Sequence, residues 1–266
     1  MSVAEWIPKG LVDPYDRTAR LYPGLLVVLP ISVVVICLYG SGHPWATSSV
    51  SALGFCGVGY AIGRLARDAG KQRQESLFAK WGGSPTTQLL RHRDPTFDPL
   101  TKQRYHAYVG SGMQMALPTA EQEESDPAAA DLAYRAATVW LISRTRNTKT
   151  FPLVFKENMA FGFQRNSLGV RHLGIVAAAM CMLSVLAHGH QLNGSKPFLH
   201  FDLERLSGSE TLALTISGLA LLYWVLYVGE GAARRTAFAY AERLVQSCDD
   251  LQPKPQGRGR KKQIPK

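Results

Sequence analysis

Residues 21–40, LYPGLLVVLPISVVVICLYG, are the stretch whose reading decides the fold. A bilayer core about 30 Å thick takes roughly 20 apolar residues as a helix, because lipid offers no partner to a peptide N–H or C=O left free. This run has that length and contains no Asp, Glu, Lys, Arg or His. Pro30 interrupts its hydrogen-bond ladder, which in a membrane helix predicts a kink whose freed carbonyl a neighbouring helix must satisfy.

Three further apolar runs follow: Ala46 to Gly63, Leu173 to Ala187 and Leu212 to Gly229. The second is rich in small residues and is expected to face another helix more than lipid. The third is short and borrows residues 169–172 and His188; the fourth places Tyr223, Trp224 and Tyr227 as an aromatic anchor toward one interface. The competing reading for each run is a buried helix of a soluble core. The short link between residues 41 and 45 favours membrane crossing, since a first span forces the second run back across the same bilayer. The fold class read here is an all-α membrane protein: two transmembrane helical hairpins, residues 21–63 and 172–229, flanking an all-helical cytoplasmic domain, residues 64–171. A mean hydropathy of −0.07 conceals this, because the polar middle dilutes the four runs.

Basic residues near the span ends set orientation. Arg64, Arg67, Lys71 and Arg73 follow the second run, Arg165 and Arg171 precede the third, and Arg234 and Arg235 follow the fourth. Those sides are expected to be cytoplasmic, with the N-terminus (1–20) and a basic tail (230–266) on the same side and the loop over 188–210 external. Glu5, Asp13 and Asp16 among Lys9, Arg17 and Arg20 do not resemble a cleavable leader. The expected location is a bacterial inner membrane, multi-pass. The net charge of +10 follows from this topology, with a nucleic-acid surface as the alternative. Cys37, Cys56, Cys181 and Cys248 show no disulfide or metal-knuckle spacing.

Helix-start signals recur through the middle. The helix of the second run continues through ARDAGKQRQESLFAKW to a break at Gly82-Gly83, and Ser84-Pro85, Asp98-Pro99 and Asp126-Pro127 each pair an N-cap with a proline at the first helical position. In the longest of these helices Leu132, Ala136, Val139, Trp140 and Ser143 share the face expected to be covered. Gly110-Ser111-Gly112 and the acidic run at residues 121–125 are expected on a solvated loop. Thr150-Phe151-Pro152 opens a last helix leading into the third run.

The densest polar cluster is Arg91-His92-Arg93-Asp94 followed by Arg104-Tyr105-His106. Guanidinium forks suit phosphate and a nearby imidazole suits proton transfer, so Arg91, His92, Arg93, Arg104 and His106, with Arg165 at the membrane boundary, are the candidate ligand or anion-binding residues. A basic helix face beside anionic lipid, held by ion pairs to Asp94, Asp98 or Glu157, is the plainer reading. Phe161–Asn166 reads as either a gate or an interface anchor. No P-loop, zinc or Ser-His-Asp spacing occurs, so no catalytic residue, metal or cofactor is assigned. His188, His190 and His200 invite a metal reading but read better as a solvated loop. Gly54, Gly59 and Gly63 with Ser51, and Gly174 with Ala178, form small-residue stripes for helix packing, within one protomer or in a homo-oligomer. No run carries a midplane charge of the kind that marks ion-coupled carriers.

At WGGSPTTQLLRHRD (81–94), RYHAYV (104–109) and FKENMAFGFQRN (155–166) the chain resembles uncharacterised bacterial four-span inner-membrane proteins. In layout it is similar to membrane effectors of anti-phage defence, in which a cytoplasmic sensing part triggers spans that breach the membrane. That resemblance implies a non-enzymatic effector or scaffold whose cytoplasmic part senses a protein or nucleotide partner. Two other readings stay open. One is a membrane-embedded enzyme acting on a phosphorylated or lipid substrate through Arg91, His92, Arg104 and His106. The other is a tethered component of a secretion or nucleic-acid-handling complex. The tail QPKPQGRGRKKQIPK suits anionic headgroups or nucleic acid.

Overall fold

Glycine at Gly24, Gly59 and Gly63 lets two helices approach until their backbones nearly touch. A Cβ added at Gly24 would strike the Gly59 carbonyl oxygen, and one at Gly63 would lie 2.6 Å from the Arg20 carbonyl oxygen. The computed structural model describes residues 13–40, 44–188 and 206–252, with side chains left undescribed over 44–51 and at 53. These residues form ten helices and, among themselves, no strand: α1 (Asp16–Tyr39), α2 (Pro44–Lys80), α3 (Pro85–Leu90), α4 (Pro99–Met113), α5 (Ala120–Ser125), α6 (Pro127–Arg144), α7 (Pro152–Gly169), α8 (Arg171–His188), α9 (Gly208–Tyr227) and α10 (Glu230–Leu251). They fall into two compact units, residues 1–81 with 156–237, and residues 82–155 with 238–266.

In the first unit α1 packs against α2, α8 and α9, and α8 packs against α9. Three of its helices, α1, α8 and α9, are long and apolar enough to cross a membrane. The second run, residues 46–63, lies in α2, whose early side chains are outside the described set. Pro30 sits inside α1 without ending it. Gly174 leaves the space that the Trp224 indole fills, and Trp224 is fully buried where an interfacial anchor was expected. Tyr227, at 55% exposure, keeps the outward position. The last turn of α9 widens into a π-helix over Tyr223–Tyr227, and Arg171 donates to the freed carbonyls of Trp224 (3.1 Å) and Val225 (3.0 Å). His188 Nδ1 meets Glu210 Oε1 at 2.9 Å. His190, His200, residues 41–43 and the tail beyond residue 252 lie outside the described residues.

The second unit is built from short capped helices. Ser84, Asp98 and Asp126 each accept a backbone N–H of the helix they precede, with proline at its first turn. Its core joins Leu90, Tyr105, Val109, Tyr134 and Leu141 to Phe151 and, from the end of α10, Leu244, Val245 and Cys248. Burial pushes the Cys248 thiol up to about 12. The segment after residue 230, expected as tail, is therefore helical to Leu251 and part of a core.

Three local expectations are corrected. Gly110-Ser111-Gly112 belong to α4, where a Cβ at Gly112 would collide with the Trp140 indole. The acidic run is the helix α5, closed by a capping box between Thr119 and Gln122. The covered face of α6 is Ala130, Tyr134, Ala137 and Leu141, while Leu132 and Val139 are 64% and 67% exposed. Both faces of α6 carry apolar groups, and the one holding Tyr134 has a buried partner for its hydroxyl.

Candidate functional site

Gly82 and Gly83 take φ of +88° and +128°, a region that L side chains rarely adopt. That turn brings the Gly82 carbonyl within 2.9 Å of the Arg91 guanidinium, which also grips Asp131 with a two-pronged contact at 2.9 and 2.7 Å. The bond to Asp131 raises the Arg91 pKa, against an opposing effect of burial. Arg91 therefore ties the start of α3 to α6, and its fork is committed to a carboxylate of the protein.

Beyond Arg91 the chain turns, and Lys102 of α4 reaches under that turn. Its ammonium donates to the carbonyls of Arg91 (2.6 Å) and Asp94 from a position only 4% exposed. Burial lowers its pKa, with Asp94 and Glu123 opposing. Glu123 of α5, also buried, accepts from the Tyr134 hydroxyl (2.8 Å) and from the His92 backbone N–H (2.7 Å), with Arg93 at 3.9 Å. The Tyr134 pKa is raised, by burial first and then by that bond. Glu123 is the hub that fixes α5, α6 and the turn at residue 92 relative to one another.

On this base two imidazoles stand edge to face, His92 and His106, with ring centres 4.8 Å apart. His106 Nε2 meets the Leu90 carbonyl at 2.8 Å and His92 Nε2 meets the Pro118 carbonyl at 2.9 Å. A carbonyl can only accept, so each Nε2 carries the proton. Burial brings the His106 pKa down to about 4. At neutral pH His106 is then uncharged, with a bare lone pair on Nδ1.

These rings line a groove of about 1030 Å³ bounded by the turn at residues 92–99, one face of α4 and the segment 114–121. Phe97, Met115 and Leu117 supply apolar wall, and Arg93, Gln103 and Thr119 supply polar groups. Gln114, which ends α4 in the left-handed region at φ 54°, turns the chain back to form the far wall. The groove offers shape, apolar area and a few convergent polar atoms, the ordinary composition of a binding site. Among the described residues no group of three His, Cys, Asp or Glu could hold a metal ion.

The candidate residues separate. His92, Arg93 and His106 meet at the groove, while Arg91 lies behind it on Asp131. Arg104 points elsewhere, to Asp249 at 2.9 Å, and its 53% exposed guanidinium lies over the Tyr105 ring. Arg165 belongs to the first unit, bonded to Gln74 and Asn166. Of the packing glycines, Gly59, Gly63 and Gly174 are in contact within the chain, and Gly54 has nothing within 4 Å. Lys102, Glu123 and Tyr134 were not among the sequence candidates. A Thr-x-x-Gln capping box at residues 119–122 was the signal that could have placed Glu123 on a helix. No protein-family model, curated protein or solved structure matches the chain.

Proposed function

We propose that the protein is a non-enzymatic bacterial inner-membrane effector or scaffold with four spans and both termini in the cytoplasm. Its second unit senses a ligand or partner, and its spans respond by assembling or by opening the membrane. The observation that carries this reading is the groove beside His92 and His106. The strong charges around it, Arg91, Lys102 and Glu123, are consumed in holding its frame, which leaves a preformed cleft better suited to binding than to bond breaking. Anionic headgroups at the cytoplasmic face and a second copy of the chain are the proposed standing partners, and the basic tail adds lipid or nucleic-acid contact. Antiviral defence is the setting this layout suits.

Ala107 is exposed on the groove face of α4, so Ala107→Trp fills the cleft without entering a core. In cells carrying the native trigger, the wild-type protein depolarises the membrane and A107W does not, at equal membrane abundance. An intact membrane potential with wild-type protein under every induction or infection condition removes the proposal. The enzyme reading draws on the unprotonated Nδ1 of His106, a residue that lines the groove, as the base that takes a proton from a phosphorylated substrate. Under that reading His106→Gln, which keeps a donor for Leu90, abolishes turnover; under the effector reading it leaves the response intact.

A further inference from the structure

A second polar cluster lies in the first unit, where the start of α1 meets the later turns of α2 and α7. Gly162 of α7 faces Ala19 and the Tyr15 hydroxyl at 2.9 Å from its added Cβ, and Gly70 of α2 faces the Arg165 carbonyl at the same distance. Asn166 locks this junction by donating to the Ala19 carbonyl at 2.6 Å. Along α2, an added Cβ at Gly63 faces the Arg20 carbonyl at 2.6 Å and one at Gly70 the Arg165 carbonyl at 2.9 Å, which sets Arg67 on the turn between these two contacts. Burial lowers the Arg165 pKa, Tyr15 opposes, and repulsion from Arg67 and Arg20 lowers it further.

Their charge is poorly offset. Arg20 pairs with Asp16 at 2.6 Å, whereas Arg67 reaches only the exposed Asp68 at 4.0 Å. Arg165 spends its hydrogen bonds on the neutral Gln74, Asn166 and Tyr15, and among the described residues it has no carboxylate within 4 Å. The Arg67 Nε is buried without any partner, as is the Gln164 side-chain oxygen beside Arg165 in sequence. Three cations gathered around a buried, unused donor cost free energy unless an anion joins them. Their level along the chain says where that anion resides. Arg20 immediately precedes the apolar run 21–40 and Arg67 follows the run 46–63 by one helical turn, so both stand at headgroup depth on the same side.

We propose that Arg20, Arg67 and Arg165 form a clamp for a phosphate group, that of an anionic phospholipid headgroup seated where α1, α2 and α7 meet. Guanidinium forks match phosphate oxygens two at a time, and the Tyr15 hydroxyl and Gln74 amide keep the forks aimed. The clamp rests on the membrane reading proposed above and deepens its headgroup contact; it is separate from the groove of the second unit, and clamp and groove can each exist without the other.

The test uses the full chain in neutral detergent, with phosphatidic acid or phosphatidylcholine added and bound lipid counted by native mass spectrometry. Wild-type protein retains phosphatidic acid in preference to phosphatidylcholine. At about 1 kcal/mol per basic group, R67Q/R165Q loses roughly 30-fold in affinity for phosphatidic acid. R67K keeps most of it, and R135Q in the second unit changes nothing. Phosphatidic acid bound by R67Q/R165Q within about twofold of wild type overturns the clamp. So does an absence of preference in the wild-type protein, a readout that needs no variant. Sodium phosphate in the millimolar range is the second arm: thermal stabilisation of wild type but not of R67Q/R165Q, without lipid preference, assigns the clamp to free phosphate.

Discussion

The two units hold themselves together by opposite means. In the first, helices meet through glycine: Gly24 against Gly59 and Gly63, Gly169 against Gly70, and Gly174 under Trp224. In the second, helices are short, individually capped, and joined by side-chain bridges, Arg91 to Asp131 and Glu123 to Tyr134 and His92. The difference follows from solvent. Lipid gives apolar side chains no reason to leave it, so spans associate where backbones come close enough for dispersion and dipole contact. A small unit that holds none of the three candidate spans gains from each satisfied cap and buried bridge, because its apolar core alone is small.

If that contrast is right, the most damaging single methyl group belongs in the first unit. Gly24→Ala drives a Cβ into the Gly59 backbone, where no flexible side chain can yield. The expected loss is about 3 kcal/mol or more, read as a lowered unfolding midpoint in detergent and faster amide exchange in α1 and α2. An unchanged midpoint would mean that α1 and α2 do not rely on close backbone contact.

The matching lesion in the second unit is polar. Glu123→Ala strands the Tyr134 hydroxyl and the His92 amide in a buried place, at about 2–3 kcal/mol. Exchange should quicken in α3 to α6 and hardly at all in α8 and α9. A uniform change across the chain would erase the distinction drawn above.

His106 sharpens the comparison through pH. Its folded pKa of about 4 lies below the ordinary 6.5, so the unfolded chain binds the proton more readily between those values. The stabilisation is complete above about pH 6.5 and is lost as pH falls toward 4, on the order of 3 kcal/mol. Denaturant midpoints measured at pH 7 and pH 5 should therefore differ more for wild type than for His106→Gln; equal differences would show that His106 is not held neutral. The smallest effect belongs to Arg104, whose pair with Asp249 is half exposed. Arg104→Ala should cost about 0.5 kcal/mol and become undetectable in high salt.

Legibility in the sequence followed the range of the forces involved. The caps at Ser84, Asp98 and Asp126 were readable because an N-cap and its acceptor lie three residues apart. The continuation of α2 to Lys80 and the break at Gly82-Gly83 were readable for the same reason. The covered face of α6 was not, since apolar groups lie on both sides and the choice was made by Tyr105, Leu90 and the distant Leu244. Glu123 looked like one more acid in a solvated run until Tyr134, eleven residues on, supplied its buried partner. The candidate site was half legible: His92, Arg93 and His106 converge, while Arg104 and Arg165, identical in chemistry to Arg91, are drawn away by Asp249 and by Gln74.

Composition and local spacing alone determined that the chain is helical, that α1, α8 and α9 have the length and apolarity to cross a membrane, and where most helices begin. Those properties depend on residues within one or two turns of each other and on the solvent around them. Tertiary structure alone decided which arginines are tied to carboxylates and which to neutral groups, which imidazoles face a groove, and which glycines are points of contact. Each of those outcomes depends on a partner brought from far along the chain, and spacing within a helix carries no record of who that partner is.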